Sequence, residues 1–258
     1  MRAVAAVTAL VLVAGVVAAA LHLEDEDEAE AASRVSPRGE LVASPSVWTF
    51  LDPPPPPRPT SFTAAHATGS SVTLFDAPGA TQPTGNRTNP THENRPLVML
   101  VREQRAAWLR VALPQRPNGS EAWIRAAEVE LRQVPNHIVI ELGARRLTLF
   151  NGDQVLRQYP VGIGTGRTPT PTGDFYIDVF NPLTNTGGPY GWGQLSVSGF
   201  SDVHRSFGGG NGQIAIHGTN RPSGIGSPVS NGCVRMRDAD VEELSVHTPA
   251  GTPVQIVP

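Results

Sequence analysis

"HIVIELGARRLTLFNGDQVLRQYPVGIG", His137 to Gly164, holds two apolar runs, the second closed by Asn151-Gly152, and a third run from Val155 to Val161. β-type runs on either side of an Asn-Gly pair predict a hairpin. The stretch commits this half of the chain to β structure. Glycines 162, 164 and 166 follow in "VGIGTGRTPTPTGDFYI". A phosphate-binding loop needs a helix directly after its glycines, and Thr-Pro-Thr-Pro forbids one. The segment is therefore expected to turn into a strand at Phe175 to Val179. Next comes "NPLTNTGGPYGWGQLSVSGFSDVHRSFGGGNG", residues 181–212, which reads as one long Gly-rich loop. It is too long for a simple connection and is a candidate lid or substrate wall. Its Tyr190 and Trp192 are suited either to stacking on a ligand or to core packing.

Composition agrees with an all-β reading. The 258 residues include 25 Pro and 26 Gly with 17% charged residues, which favours turns and short strands over long helices. The chain is long enough for one large or two modest domains. All 20 basic residues are Arg, and 6 of the 23 acids fall in "EDEDEAE", Glu24 to Glu30. The remainder is close to neutral, with charges scattered rather than striped, so nucleic-acid binding is not indicated.

The N-terminus combines Arg2, an uncharged apolar run from Ala3 to Leu21, and the acidic block. Residues 1–31 thus read as a signal peptide or membrane anchor plus acidic spacer, directing the rest of the chain outside the cytoplasm. Contact with the membrane is expected only through this segment. Residues 32–60 form a Pro-rich linker ending in Pro53 to Pro57 and Pro59, a stiff extended spacer. In residues 61–133, "SSVTLFDAP", "PLVMLVREQRAAWLRVALP" and "SEAWIRAAEVEL" alternate apolar and polar positions, with a turn at "RPNGS", Arg116 to Ser120. Four or five short strands there predict a small barrel for binding or positioning. His66 and His92 are expected at its surface.

The chemistry of residues 134–258 centres on "IAIHGTNRPSGIGSPVSNGCVRMRDADVEEL", Ile214 to Leu244, which contains the lone cysteine. "QIAIHG" is a short strand delivering His217 at its end. After a Gly/Pro-rich excursion, "SNGCVRM" returns the chain before a helix-like "DADVEELSVH" with Asp238 as a plausible cap. His217 and Cys233 can then meet across a loop, and an imidazole beside a thiol can take its proton and hold an ion pair. The N–H groups of Gly232 and Cys233 can face a developing oxyanion, and Arg235 can hold a carboxylate. A single cysteine forms no intramolecular disulfide. His204, His217, Cys233 and His247 do not form a recognised zinc pattern. On spacing alone, inert burial and catalysis remain open for Cys233.

"IHGT" followed by "SNGCVRM", with "TPTPTGDFY" upstream, resembles the YkuD family of L,D-transpeptidases over about residues 136–258. The "WLRVALPQRPNGSEAWI" stretch resembles bacterial SH3-like domains that precede cell-wall catalytic domains. The resemblance implies a mainly β protein: an SH3-like barrel, then a YkuD-type β-sandwich with a short helix after the catalytic cysteine. It implies peptidoglycan stem peptides as partners, a thiol open to carbapenem acylation, and neither cofactor nor metal. Cys233 would be the nucleophile, His217 the base, and the Gly218 carbonyl the group that orients the imidazole. Ser230, Asn231, Gly232 and Tyr190 would shape the substrate side, and Arg235 would anchor a stem-peptide carboxylate. At Asn231 many relatives carry a second histidine. The reaction implied is release of D-Ala from a tetrapeptide and cross-linking between third-position residues of two stems. An L,D-carboxypeptidase and a non-catalytic wall-binding protein are the alternatives. The place of action implied is the cell envelope.

Overall fold

The computed structural model describes residues 61–206 and 209–258. The expected export segment and Pro-rich linker lie outside the described residues. Among those described, no helix is long and apolar enough to cross a membrane.

The first strands are β1 (Phe62–Ala67), β2 (Ser71–Leu74), β3 (Gly85–Thr88), β4 (Val98–Arg105), β5 (Trp108–Ala112), β6 (Glu121–Arg125) and β7 (Val129–Val134). Five of them form a sheet in the order β6-β5-β4-β1-β7, and β2 and β3 form a separate hairpin. The alternation seen in the sequence sends Val72, Leu74, Met99, Leu109, Val111 and Ile124 into one core. His92 is exposed, whereas His66, near the end of β1, is partly buried.

The remaining strands are β8 (Asn136–Glu141), β9 (Arg146–Asn151), β10 (Gln154–Pro160), β11 (Ile163–Gly164), β12 (Gly173–Pro182), β13 (Gly193–Phe200), β14 (Gln213–His217), β15 (Pro228–Ser230), β16 (Val234–Arg235) and β17 (Pro253–Val257). One helix, α1 (Asp238–His247), follows β16. Eight strands form one mixed sheet in the order β10-β9-β8-β17-β12-β13-β14-β16. The expected sandwich is thus a single curled sheet rather than two separate ones. Strand β12 makes the corner: Gly173 to Tyr176 pair with β17, while Ile177 to Pro182 pair with β13 across a register shift. Ile138, Leu149 and Ile256 from one half pack with Val197, Ile216 and Val234 from the other, under Val241 and Leu244 of α1.

Three local expectations change. The β9–β10 hairpin turns one residue later than predicted, because Asn151 pairs with Gln154 and Gly152-Asp153 forms the loop. Gly152 carries the positive φ of 53° that the first loop position requires. The stretch 181–212 is not one loop, since β13 runs through its middle with Leu195 and Val197 in the core. Its glycines and serines hide it: Ser196 and Ser198 are buried, and Ser198 Oγ accepts a hydrogen bond from the Tyr176 N–H at 3.0 Å. Asp238 is the first residue of α1 and not its cap; Arg237 precedes the helix with no side-chain cap.

Candidate functional site

His217 ends β14, and β16 lies parallel to it, with His217 in register with Arg235. Cys233 stands two residues before Arg235, so both side chains leave the chain toward the same face. Cys233, His217, Arg235, Tyr190, Ser230 and Asn231 all line one cavity of about 150 Å³. The reading from sequence placed these six residues together. Gly218 and Gly232 sit beside them and act through their backbone. Among the described residues no group of three or more His, Cys, Asp or Glu side chains is placed to hold a metal.

His217 is buried and its Nδ1 lies 2.5 Å from the carbonyl oxygen of Gly218. A carbonyl only accepts, so Nδ1 carries the proton and Nε2 keeps its lone pair. Burial lowers the pKa of this imidazole to about 4, against the raising effect of the Gly218 carbonyl and with a further lowering from Arg235. The Cys233 thiol is pushed up, chiefly by burial, although the Ala215 backbone N–H and Arg235 pull it down. Burial thus opposes charge on both groups and works against the thiolate–imidazolium pair anticipated from sequence. Cys233 retains partial exposure to the cavity.

The cysteine loop is held from below. Ser230 Oγ donates to the Cys233 carbonyl at 2.5 Å and accepts from the Gly232 N–H at 3.1 Å. The Gly232 N–H is thus committed inside the loop and does not face the cavity as an oxyanion donor. Gly232 has φ 119°, a region open to glycine. The "GTGRTPTPT" turn provides the support: the Thr165 N–H and Thr168 Oγ1 both donate to the Ser230 carbonyl, each at 3.1 Å. Gly162 and Arg235 exchange two backbone hydrogen bonds, of 2.8 and 2.7 Å. Arg235 takes part in none of the ion pairs among the described residues, and its Nε has no hydrogen-bond partner. An unpaired guanidinium on a cavity wall suits a carboxylate.

The two aromatic residues divide. Tyr190 leans on His217 with ring centroids 4.6 Å apart, while Trp192 stacks on Phe180 at 5.6 Å and packs against the core. Asp238 has a task the sequence did not signal: its Oδ1 accepts the Thr219 N–H at 3.0 Å. A Cβ added at either Gly218 or Gly191 would collide with that oxygen.

Part of the site was missed in the sequence. The turn at Arg116, in the first set of strands, docks on the chain that follows β13. Arg116 donates to the carbonyls of Ser201 (2.9 Å), His204 (2.8 Å) and Asn211 (2.9 Å). Asn118 accepts the Phe200 N–H and donates to the Phe200 carbonyl, both at 2.8 Å. Ser201, His204 and Gly212 line the Cys233 cavity, so the first sheet's turn shapes its wall. The only signal for this was the Asn-Gly turn, which says nothing about what it touches.

Residues 135–256 match the model of the YkuD L,D-transpeptidase catalytic domain. The chain is 43% identical to the YkuD protein of Bacillus subtilis strain 168 over 123 residues, 48% of this chain and 66% of that protein. It is 41% identical to the YkuD protein of Bacillus licheniformis over 125 residues, 48% of this chain and 67% of the relative. With YqjB of Bacillus subtilis, also assigned to the L,D-transpeptidases, it shares 31% identity over 123 residues, 46% of this chain and 70% of that protein. It spans about two thirds of the length of these curated relatives. With a curled β domain, a cysteine and a histidine on one cavity, and relatives of this similarity, the chain belongs to the YkuD family of L,D-transpeptidases.

Proposed function

We propose that this chain is a peptidoglycan L,D-transpeptidase that works through an acyl-enzyme on Cys233. The observation that carries the reading is the cavity shared by the Cys233 thiol, the His217 imidazole with its Nδ1 bound to Gly218, and the unpaired Arg235. Cys233 Sγ attacks the carbonyl carbon of the third residue of a stem tetrapeptide as His217 Nε2 takes the thiol proton. Because burial disfavours charge on both groups, the proton moves as the S–C bond forms rather than beforehand. The imidazolium returns that proton to the amine of D-Ala, the C–N bond breaks, and a thioester remains. The amine of a second stem attacks the thioester, loses a proton through His217, and restores the thiol. Arg235 binds a carboxylate of the donor, and Tyr190 and Asn231 bound its path. The oxyanion contact falls to the Cys233 N–H, since that of Gly232 is taken by Ser230. The strands of residues 61–133 serve as an SH3-like positioning module. Residues 1–31 direct export, either as a cleaved signal peptide or as an anchor at the outer face of the membrane, and residues 32–60 act as a spacer.

Incubation of the full chain with disaccharide-tetrapeptides, followed by mass analysis of the products, tests the reading. D-Ala release with a cross-linked dimer supports it. D-Ala release with tripeptide alone makes the protein an L,D-carboxypeptidase. No release, with retained sacculus binding, makes it a wall-binding protein.

A further inference from the structure

Cys233 lines a second cavity as well, of about 500 Å³. The two cavities share Cys233, Tyr190, Gly212, Gln213 and Ile214, but His217 and Arg235 line only the first. Their charges are opposite. Glu93, from the segment between β3 and β4, lines the second cavity, and no arginine does. The Glu93 side chain keeps 30% of its exposure, and the single ion-pair partner it has among the described residues is the exposed His92, at 3.9 Å. Asn181 Nδ2 donates to Glu93 Oε2 at 2.8 Å and so fixes the carboxylate on β12. Arg95, two residues on in the chain, donates to Asn181 Oδ1 at 3.3 Å and forms no ion pair with Glu93 among the described residues. Behind the cavity Gln213 Nε2 donates to the largely buried Asp178 at 3.0 Å, which adds a second acidic group on this side.

Acyl transfer through a thioester needs two approaches to one sulfur. The donor's acyl chain fills the first and remains there, so the attacking amine must enter by another path. We propose that the second cavity is the acceptor site and that Glu93 selects an acceptor bearing a primary ammonium over water. This rests on the acyl-transfer reading above. The ammonium gathers beside Glu93 and gives one proton to the solvent; the amine nitrogen then bonds to the thioester carbon as the C–S bond breaks, and its second proton passes through His217 to Cys233 Sγ. Water carries no charge and gains no ionic attraction from the carboxylate. The acceptor site is then completed by a residue outside the family's catalytic domain.

The test measures how the acyl-enzyme of the full chain partitions between cross-linked dimer and hydrolysed tripeptide. Glu93→Gln keeps an oxygen for Asn181 and removes the charge. The expected result is a fall in the dimer-to-tripeptide ratio of about fivefold, the scale of one partly exposed ionic contact, with acyl-enzyme still formed. Rising salt lowers the ratio in the wild type and leaves it flat in the variant. An unchanged ratio, or a salt response equal in both, overturns the proposal while leaving acyl transfer in place. Failure of the wild type itself to form an acyl-enzyme overturns the reading on which it rests.

Discussion

The His217 Nδ1–H donates to the carbonyl of its own neighbour, Gly218, at 2.5 Å, and this one contact decides which nitrogen is the base. With burial holding the imidazole near pKa 4, the base is already deprotonated across the neutral range. Acylation of Cys233 by a carbapenem is predicted to be nearly flat from pH 5.5 to 7.5. Below about pH 4 it falls roughly tenfold per unit, as His217 takes up the proton it needs to receive from the thiol. Second-order acylation rates across pH 3.5 to 7.5 check this, and a midpoint between 6 and 7 would contradict it.

The same burial links His217 to stability. Its folded pKa of about 4 lies below the ordinary 6.5, so the unfolded chain binds the extra proton first as pH falls. Stability is full above pH 6.5 and loses about 3 kcal/mol on the way to pH 4. Urea midpoints at pH 7 and pH 4.5 should separate in the wild type, and the separation should shrink in His217→Asn. Equal separation in both proteins would assign the loss to other groups.

Asp238 and Gly218 are predicted to couple. Gly218→Ala drives a methyl into Asp238 Oδ1 and displaces the carbonyl that orients His217. Activity is expected to fall by about a hundredfold, the scale of a misplaced catalytic group. Combining it with Asp238→Ala should restore part of the loss, giving a non-additive cycle. Additive losses would show that the two residues do not meet.

Much of this architecture was legible because local pattern and tertiary role coincided. The β9–β10 hairpin announced itself through alternating apolar residues and Asn151-Gly152, and α1 occupies the ten residues that read as a helix. His217 and Cys233 line one cavity because a strand end and a loop return are both local features. Strand β13 escaped notice because its buried serines and glycines look like a loop, and burial is set by the partners β12 and β14. Arg116 braces residues that line the first Cys233 cavity, and Glu93 lines the second, by docking of distant segments, which no spacing encodes. The bias of Cys233 and His217 against charge comes from desolvation, a property of the folded surroundings.

Arg116 offers a test of the docked turn. Arg116→Ala removes three hydrogen bonds to the wall formed by Ser201, His204 and Asn211. It is expected to cost about 2 kcal/mol of stability, to speed proteolysis between residues 201 and 212, and to lower kcat/KM several-fold. Arg116→Lys keeps a point charge without the fork and should recover only part. Unchanged proteolysis and kinetics in Arg116→Ala would show that the turn does not shape the site.

The most direct measurement is the intact mass of the protein after exposure to a carbapenem. The account predicts one covalent adduct on the wild type, located at Cys233, and none on Cys233→Ala. Equal adducts on both proteins, or none on the folded wild type, would contradict the assignment of Cys233 as the nucleophile.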